Sequence, residues 1–261
     1  MLDVFKRAAL EAGQAILEVY RAGAHVQLKR DCSPVTEADQ RAEAIILRHL
    51  AEAFPDIPVI AEESVEAGTR PDITGDTFFL VDPLDGTREF INNNDDFTVN
   101  IALIRDGVPV AGIVYAPARH VGYAAEDGKA TRFSVSDSAE IYDLQPIASR
   151  AYAKIPVALI SRSHCNPETE AFVAAHVITE FASIGSSLKF CLLAEGKADV
   201  YPRYGRTMLW DTAAGDAILR AAGGITLGPD GRPLGYHPAE IRSPDDLANP
   251  NFVAWGRAPA A

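Results

Sequence analysis

Apolar residues at Leu2, Phe5, Ala9, Ala12, Ile16 and Val19 recur at steps of three and four, the spacing that lines one face of a helix. The chain is therefore expected to open with an amphipathic helix. After a loop over residues 30–34, Thr36 and Asp39 stand in capping-box spacing ahead of an apolar-periodic run through Ile45, Ile46 and Leu50. This predicts a second helix, ending before Pro55. Short β-rich runs over 58–61 and 77–81 read as strands, and 98–104 followed by 108–115 across Asp106-Gly107 reads as a β-hairpin. The second half alternates. A strand over 156–160 precedes helices over 167–177 and 187–195, a short strand over 199–201, and a helix over 212–222 closed by Gly223-Gly224. Between the halves, residues 126–153 are polar with weak periodicity. They read as the junction between an N-terminal α/β subdomain, residues 1–135, and a C-terminal α/β subdomain, residues 154–261. Internal repeats and low-complexity tracts are absent from the sequence.

Composition narrows the function classes. With 261 residues, 48% hydrophobic and 23% charged, the chain is long enough for a sizeable core. Net charge is −12 and the basic residues are scattered, which argues against a grip on long nucleic acid. A small anionic substrate stays compatible if metal ions supply positive charge locally. The cysteines, Cys32, Cys165 and Cys191, are odd in number and far apart, so neither a disulfide framework nor a zinc cluster is suggested and a reducing cytoplasm fits best. Asp3, Glu11 and Glu18 interrupt any signal-peptide pattern, and no apolar run approaches the ~20 residues needed to span a bilayer.

The segment richest in candidate chemistry is Val81-Asp82-Pro83-Leu84-Asp85-Gly86-Thr87, where an apolar strand ends in two carboxylates three positions apart. Mg²⁺ takes such oxygens together with waters and substrate phosphate, and the Leu84 carbonyl is a further candidate ligand. Gly86 permits close backbone approach, and the amides of Gly86 and Thr87 would point at an anion if they open a helix. In isolation the same motif is equally an Asp-rich turn that caps a helix. Further acids stand in matching contexts: Glu62-Glu63-Ser64 after the 58–61 strand, and Asp211 at the start of the last helix. Each has a plainer alternative, a solvated loop for Glu62 and Glu63 and a helix cap for Asp211 and Asp39.

Asp82-Pro-Leu-Asp-Gly-Thr87, with Glu62-Glu-Ser64 upstream and Trp210-Asp-Thr-Ala-Ala-Gly215 downstream, resembles the three-part signature of the inositol monophosphatase superfamily. The order and spacing extend over almost the whole chain. Within that superfamily, Ser33-Pro-Val-Thr-Glu-Ala-Asp39, Glu89-Phe-Ile91, Phe97-Thr-Val-Asn-Ile-Ala-Leu103, Ser161-Arg-Ser-His164 and Gly185-Ser-Ser-Leu-Lys-Phe-Cys191 are similar to the bacterial CysQ-type 3'(2'),5'-bisphosphate nucleotidases. The resemblance implies a five-layered αβαβα sandwich of two subdomains, with the site between them. It implies two or three Mg²⁺ ions held by Glu62, Asp82, the Leu84 carbonyl, Asp85 and Asp211. It also implies an attacking water positioned by Glu62 and by Thr87 with Asp39. Gly86, Thr87, His164, Ser186, Lys189, Arg203 and Asp211 would contact the nucleotide or its phosphates, with Arg206 competing with Arg203. The expected reaction is removal of a phosphate from adenosine 3',5'-bisphosphate or its sulfated form, sensitive to Li⁺, by a monomer or homodimer. Peripheral association with the cytoplasmic face of the inner membrane also belongs to the resemblance, although the sequence shows no anchor.

Other readings fare less well. A haloacid-dehalogenase-type phosphatase spaces its acids as DxD, which Asp82 and Asp85 do not match. A cysteine phosphatase needs arginine six positions after its nucleophile, where this chain has Ala38, Ala171 and Lys197. GxxxxGK[ST] and GxGxxG are absent. Hydrolysis of inositol or sugar phosphates is the close competitor, because it needs the same metal site with a different pocket. A non-catalytic metal-dependent binding protein is the alternative from another class. One departure from the family pattern stands out: Asp95 and Asp96 would weaken phosphate affinity if they point into the site.

Overall fold

The computed structural model describes residues 1–23, 26–28, 34–73, 75–160, 166–238 and 241–258. Helix α1 (Leu2–Ala22) buries Phe5, Ala8, Ala9, Ala12, Ile16 and Val19, the stripe its sequence spacing marks. A small hairpin, β1 (Val26–Leu28) with β2 (Pro34–Thr36), leads into α2 (Glu37–Ala53). Pro34 thus lies in a strand, not in the expected loop, whose other residues fall outside the described ones. Thr36 caps α2 by accepting from Ala38 N at 3.1 Å, while Asp39 Oδ2 accepts from Thr36 N at 2.7 Å.

The first sheet has seven strands in chain order: β3 (Val59–Ala61), β4 (Thr77–Asp85), β5 (Thr98–Arg105), β6 (Val108–Ala116), β7 (Val121–Glu126), β8 (Lys129–Val135) and β9 (Ile141–Pro146). β3 runs parallel to β4, with the short helix α3 (Glu62–Glu66) in their connection, and the remaining neighbours are antiparallel. The β5–β6 turn is the predicted hairpin, with Asp106 at φ 50° and Gly107 at φ 69°, the positive pair that a two-residue turn requires. The segment expected to be a junction, 126–153, instead carries β8 and β9. Its periodicity is weak because β9 is an exposed edge strand with no buried face.

The second sheet has five strands in the order β11-β10-β12-β14-β13: β10 (Val157–Ile160), β11 (Glu180–Ser183), β12 (Val200–Arg203), β13 (Ile225–Leu227) and β14 (Phe252–Trp255). Around it run α5 (Pro167–Ala175), α6 (Leu188–Ala194) and α7 (Leu209–Ala221), whereas α4 (Thr87–Ile91), between β4 and β5, packs Phe90 into the core under α1. α7 starts three residues earlier than Thr212. Asp211 is consequently the third helical residue, and its Oδ2 accepts from Met208 N at 2.7 Å.

The layers run α1 and α2, seven-stranded sheet, α6 and α7, five-stranded sheet, α5. One apolar core lies between α1/α2 and the first sheet. A larger one surrounds α6 and α7 between the sheets, and a third lies under α5. This is an α/β, five-layered αβαβα sandwich.

Candidate active site

The site forms where β4 is irregular. Asp82 pairs with Asn100 and Asp85 with Thr98, so β4 takes three steps where β5 takes two. The extra residue is a bulge, and Pro83 lies inside it, where a missing N–H is tolerated. In a regular strand, residues three apart face opposite sides. Here Phe79, Val81 and Leu84 pack towards α1 and α2, whereas Phe78 and Leu80 pack between the sheets. The bulge returns Asp85 to the side of Asp82. Gly86 follows in the left-handed region at φ +95° and precedes α4; a Cβ there would stand 2.9 Å from Asp96 O.

Three further elements bring oxygens to this point. Glu62 opens α3 at the end of β3, Asp211 comes from the first turn of α7, and Thr87 opens α4. Burial, and then the charges of Glu62, Asp85 and Asp211, push the Asp82 carboxyl well above its ordinary range. Burial, then Asp85 and Glu62, pushes Asp211 up to about 8, against the hydrogen bonds from Met208 N and with Asp82 that lower it. Asp85 Oδ2 accepts from Ser187 N at 2.6 Å, across from the second half of the chain, and Ser187 Oγ has Asp85 Oδ2 at 2.8 Å and the Asp211 carbonyl at 2.6 Å as acceptors for its single proton. Thr87 Oγ1 has Asp39 Oδ1 at 3.3 Å and the Leu84 carbonyl at 3.2 Å as acceptors for its single proton. Among the described residues, no three His, Cys, Asp or Glu side chains form a ready cage for one ion. The donor set is nonetheless all oxygen, crowded and anionic. It suits a hard divalent cation that completes its shell with water and phosphate.

Beside these acids a pocket is lined by Asp85, Gly86, Ser186, Lys189, Arg203 and Asp211, all singled out from the sequence, with Arg88, Glu89, Tyr201, Thr207 and Thr212 among the rest. Lys189 is not a solvated helix residue: it is 5% exposed, donates from Nζ to Ser186 O at 2.8 Å, and lies over the Tyr201 ring. Arg203 is 8% exposed and donates to Arg206 O at 3.0 Å, and its buried Nε has no acceptor among the described residues. Arg206 turns away to pair with Asp245 at 2.6 Å, so of the two it is Arg203 that lines the pocket. His164 lies outside the described residues.

Asp96 is a paired charge, although it still acts on Lys189, and Asp95 is held by a hydrogen bond. Asp95 accepts from Tyr20 OH at 3.0 Å, and buried Asp96 pairs with Arg119 and accepts from Gly185 N at 3.0 Å. Ser187 and Asn100 were not singled out from the sequence. Asn100 Nδ2 donates to Ser187 Oγ at 2.9 Å and so supports the clasp on Asp85. Its signal was a polar residue in the otherwise apolar run of β5.

The model of the inositol monophosphatase family matches residues 1–255. The chain belongs to the inositol monophosphatase family. This is a family of metal-dependent phosphatases. The family member 3'(2'),5'-bisphosphate nucleotidase CysQ of Escherichia coli (strain K12) is 43% identical over 256 residues, covering 97% of this chain and 98% of that protein. The crystal structure of CysQ from Bacteroides thetaiotaomicron, a bacterial member of the inositol monophosphatase family, matches with a TM-score of 0.75 at 38% identity, over 96% of this chain and 95% of that one. The inositol monophosphatase of Thermotoga maritima shares the fold with the same TM-score of 0.75 at 23% identity, over 98% and 91%. Among the described residues no helix of this family member is long and apolar enough to cross a membrane.

Proposed function

We propose that this chain is a Mg²⁺-dependent 3'(2'),5'-bisphosphate nucleotidase that converts adenosine 3',5'-bisphosphate to AMP and phosphate. The observation that carries the reading is the meeting of opposites in one cavity: Asp85 and Asp211 of the acid cluster line it together with the buried cations Lys189 and Arg203. A substrate with a phosphate at each end matches both, whereas inositol 1-phosphate has one phosphate to offer. The 43% identity to CysQ supports the same assignment.

Glu62, Asp82, the Leu84 carbonyl, Asp85 and Asp211 would hold two or three Mg²⁺ ions. When bound, Mg²⁺ neutralises phosphoryl oxygens and makes water a better nucleophile at neutral pH. The chain's own groups supply the geometry. Thr87 Oγ1 donates towards Asp39 or the Leu84 carbonyl and keeps lone pairs for a proton of the attacking water. Glu62, at the start of α3, would orient that water from the end of the neighbouring strand. Ser187 fixes Asp85, and Ser186 presents its carbonyl to Lys189 from a left-handed backbone at φ 49°. Lys189 and Arg203 would hold the phosphate that is not cleaved, Arg203 through its unmet Nε. With subdomains 1–135 and 154–261, most acids come from the first and Asp211 with the cations from the second. Phosphate release from adenosine 3',5'-bisphosphate, measured with Mg²⁺, after chelation and after Mg²⁺ is restored, tests the reading. Activity that survives chelation unchanged contradicts it, and absence of hydrolysis with Mg²⁺ would leave a binding protein.

A further inference from the structure

Helix α2 offers two buried carboxylates one turn apart on the same face, Asp39 at 2% and Glu43 at 5% exposure. Asp39 serves Thr36 and Thr87. Glu43 serves α3: its Oε2 accepts from Glu63 N at 2.8 Å, and its Oε1 accepts from Ser64 N at 2.8 Å and from Ser64 Oγ. Those amides belong to the second and third residues of α3, whose first residue is Glu62. The first-turn amides of a helix have no partner within it, and a helix this short does not hold its own shape in water. The direction of α3 therefore depends on contacts outside it, among them its attachment to β3, the burial of Val65, Arg70 on the Val65 carbonyl, and Glu43.

We propose that Glu43 is the positioning residue for Glu62, so that α2 clamps both acid-bearing segments, the Leu84–Thr87 turn through Asp39 and α3 through Glu43. Glu43 borders a separate cavity with Glu63 and Ser64, and its hydrogen bonds run to α3, so it would act through the placement of Glu62 and not on the substrate. Glu62 in turn lies close enough to Asp82 and Asp211 for its charge to act on both. A small rotation of α3 would move Glu62 relative to Asp82 and Asp211 and weaken cation binding. The inference rests on the metal-site reading above, but not on the identity of the substrate.

Glu43→Gln keeps the shape of the side chain but replaces one acceptor oxygen with a donor, so at least one α3 amide loses its acceptor. Ser64→Ala removes only the hydroxyl contact. The test is Mg²⁺ affinity of the full chain by titration calorimetry without substrate, for wild type and both variants, alongside thermal unfolding. Glu43→Gln is expected to weaken Mg²⁺ binding about tenfold, in the range typical for residues that orient metal ligands. Ser64→Ala should weaken it less, in the same direction, and both variants should still unfold cooperatively. Folded variants that bind Mg²⁺ as tightly as wild type overturn the proposal, even if their melting temperature falls, because that is what a purely structural role produces. If Glu43→Gln does not fold, Ser64→Ala decides by the same criterion. Wild type that binds Mg²⁺ but does not hydrolyse the bisphosphate would sink the nucleotidase reading, and the variants' affinities would still judge Glu43. Wild type that binds no Mg²⁺ overturns both.

Discussion

Burial pushes the Lys189 ammonium down to about 8; Asp85 and Glu89 pull it up, while Arg203 adds to the depression. Lys189 is thus charged below that pH and neutral above it, whereas a bound phosphate stays anionic throughout. KM for adenosine 3',5'-bisphosphate is expected to rise as the pH passes about 8. Lys189→Met should raise KM about tenfold at neutral pH, roughly 1.4 kcal/mol, and abolish that pH dependence. A pH profile in Lys189→Met that matches wild type would exclude this role. The stability effect has the opposite sense. The folded pKa lies below the ordinary 10.5, so the folded chain gives up a proton the unfolded chain keeps, and stability increases with pH between about 8 and 10.5. The sequence made Lys189 visible through its motif but not its burial, because the ring it lies over, Tyr201, comes from β12. Likewise Asp96 reads as an excess acid until Arg119 and Gly185, distant in sequence, are seen to meet it.

The loop ahead of α6 must come very close to the 89–96 turn. At Gly185 a Cβ would lie 2.7 Å from Asp96 Cβ and 2.8 Å from Asp96 O. Gly185→Ala is expected to destabilise by about 1 to 3 kcal/mol and to lower activity, since the same loop carries Ser186 and Ser187. Denaturant unfolding and kcat/KM of the variant check both parts. Just before β12, buried Asp199 accepts from Arg150 Nε at 3.0 Å, Ala153 N at 3.1 Å and Val157 N at 2.8 Å, and so fastens residues 150–157 to the second sheet. Burial alone would raise its pKa, but Arg150 and the two amides outweigh it and hold the carboxyl low. Its contribution is full above the ordinary value of 3.8 and is lost as the pH falls through the lower folded value. Asp199→Asn should cost about 2 kcal/mol at neutral pH, less than for a fully buried pair because Arg150 is partly exposed. A thermal midpoint unchanged from wild type would remove Asp199 from this account. At this scale, helices with one buried stripe and the Asp106-Gly107 hairpin were legible in the sequence. β9 was not, because an exposed edge strand shows no alternation. The bulge in β4 was hidden because a break in period two is visible only against its partner β5.

Across the whole molecule, the layers make a site from pieces that local pattern alone does not join. Glu62, Asp82 and Asp85 arrive from neighbouring strands of one sheet, Asp211 from the helix packed on it, and Lys189 and Arg203 from α6 and the second sheet. The acids were legible because each stands at the end of a recognisable element. The clasp of Ser187 on Asp85 and of Glu43 on α3 was not, since hydrogen bonds between distant segments leave no local periodicity. In the proposed reaction the acids handle one phosphate and the cations hold another. The direct test is kcat/KM for adenosine 3',5'-bisphosphate against inositol 1-phosphate, side by side at saturating Mg²⁺. A preference of at least about tenfold for the nucleotide, on the order of 1.4 kcal/mol, is expected. Equal rates, or a preference for inositol 1-phosphate, would contradict the role given to Lys189 and Arg203 and leave the fold and the acid cluster in place.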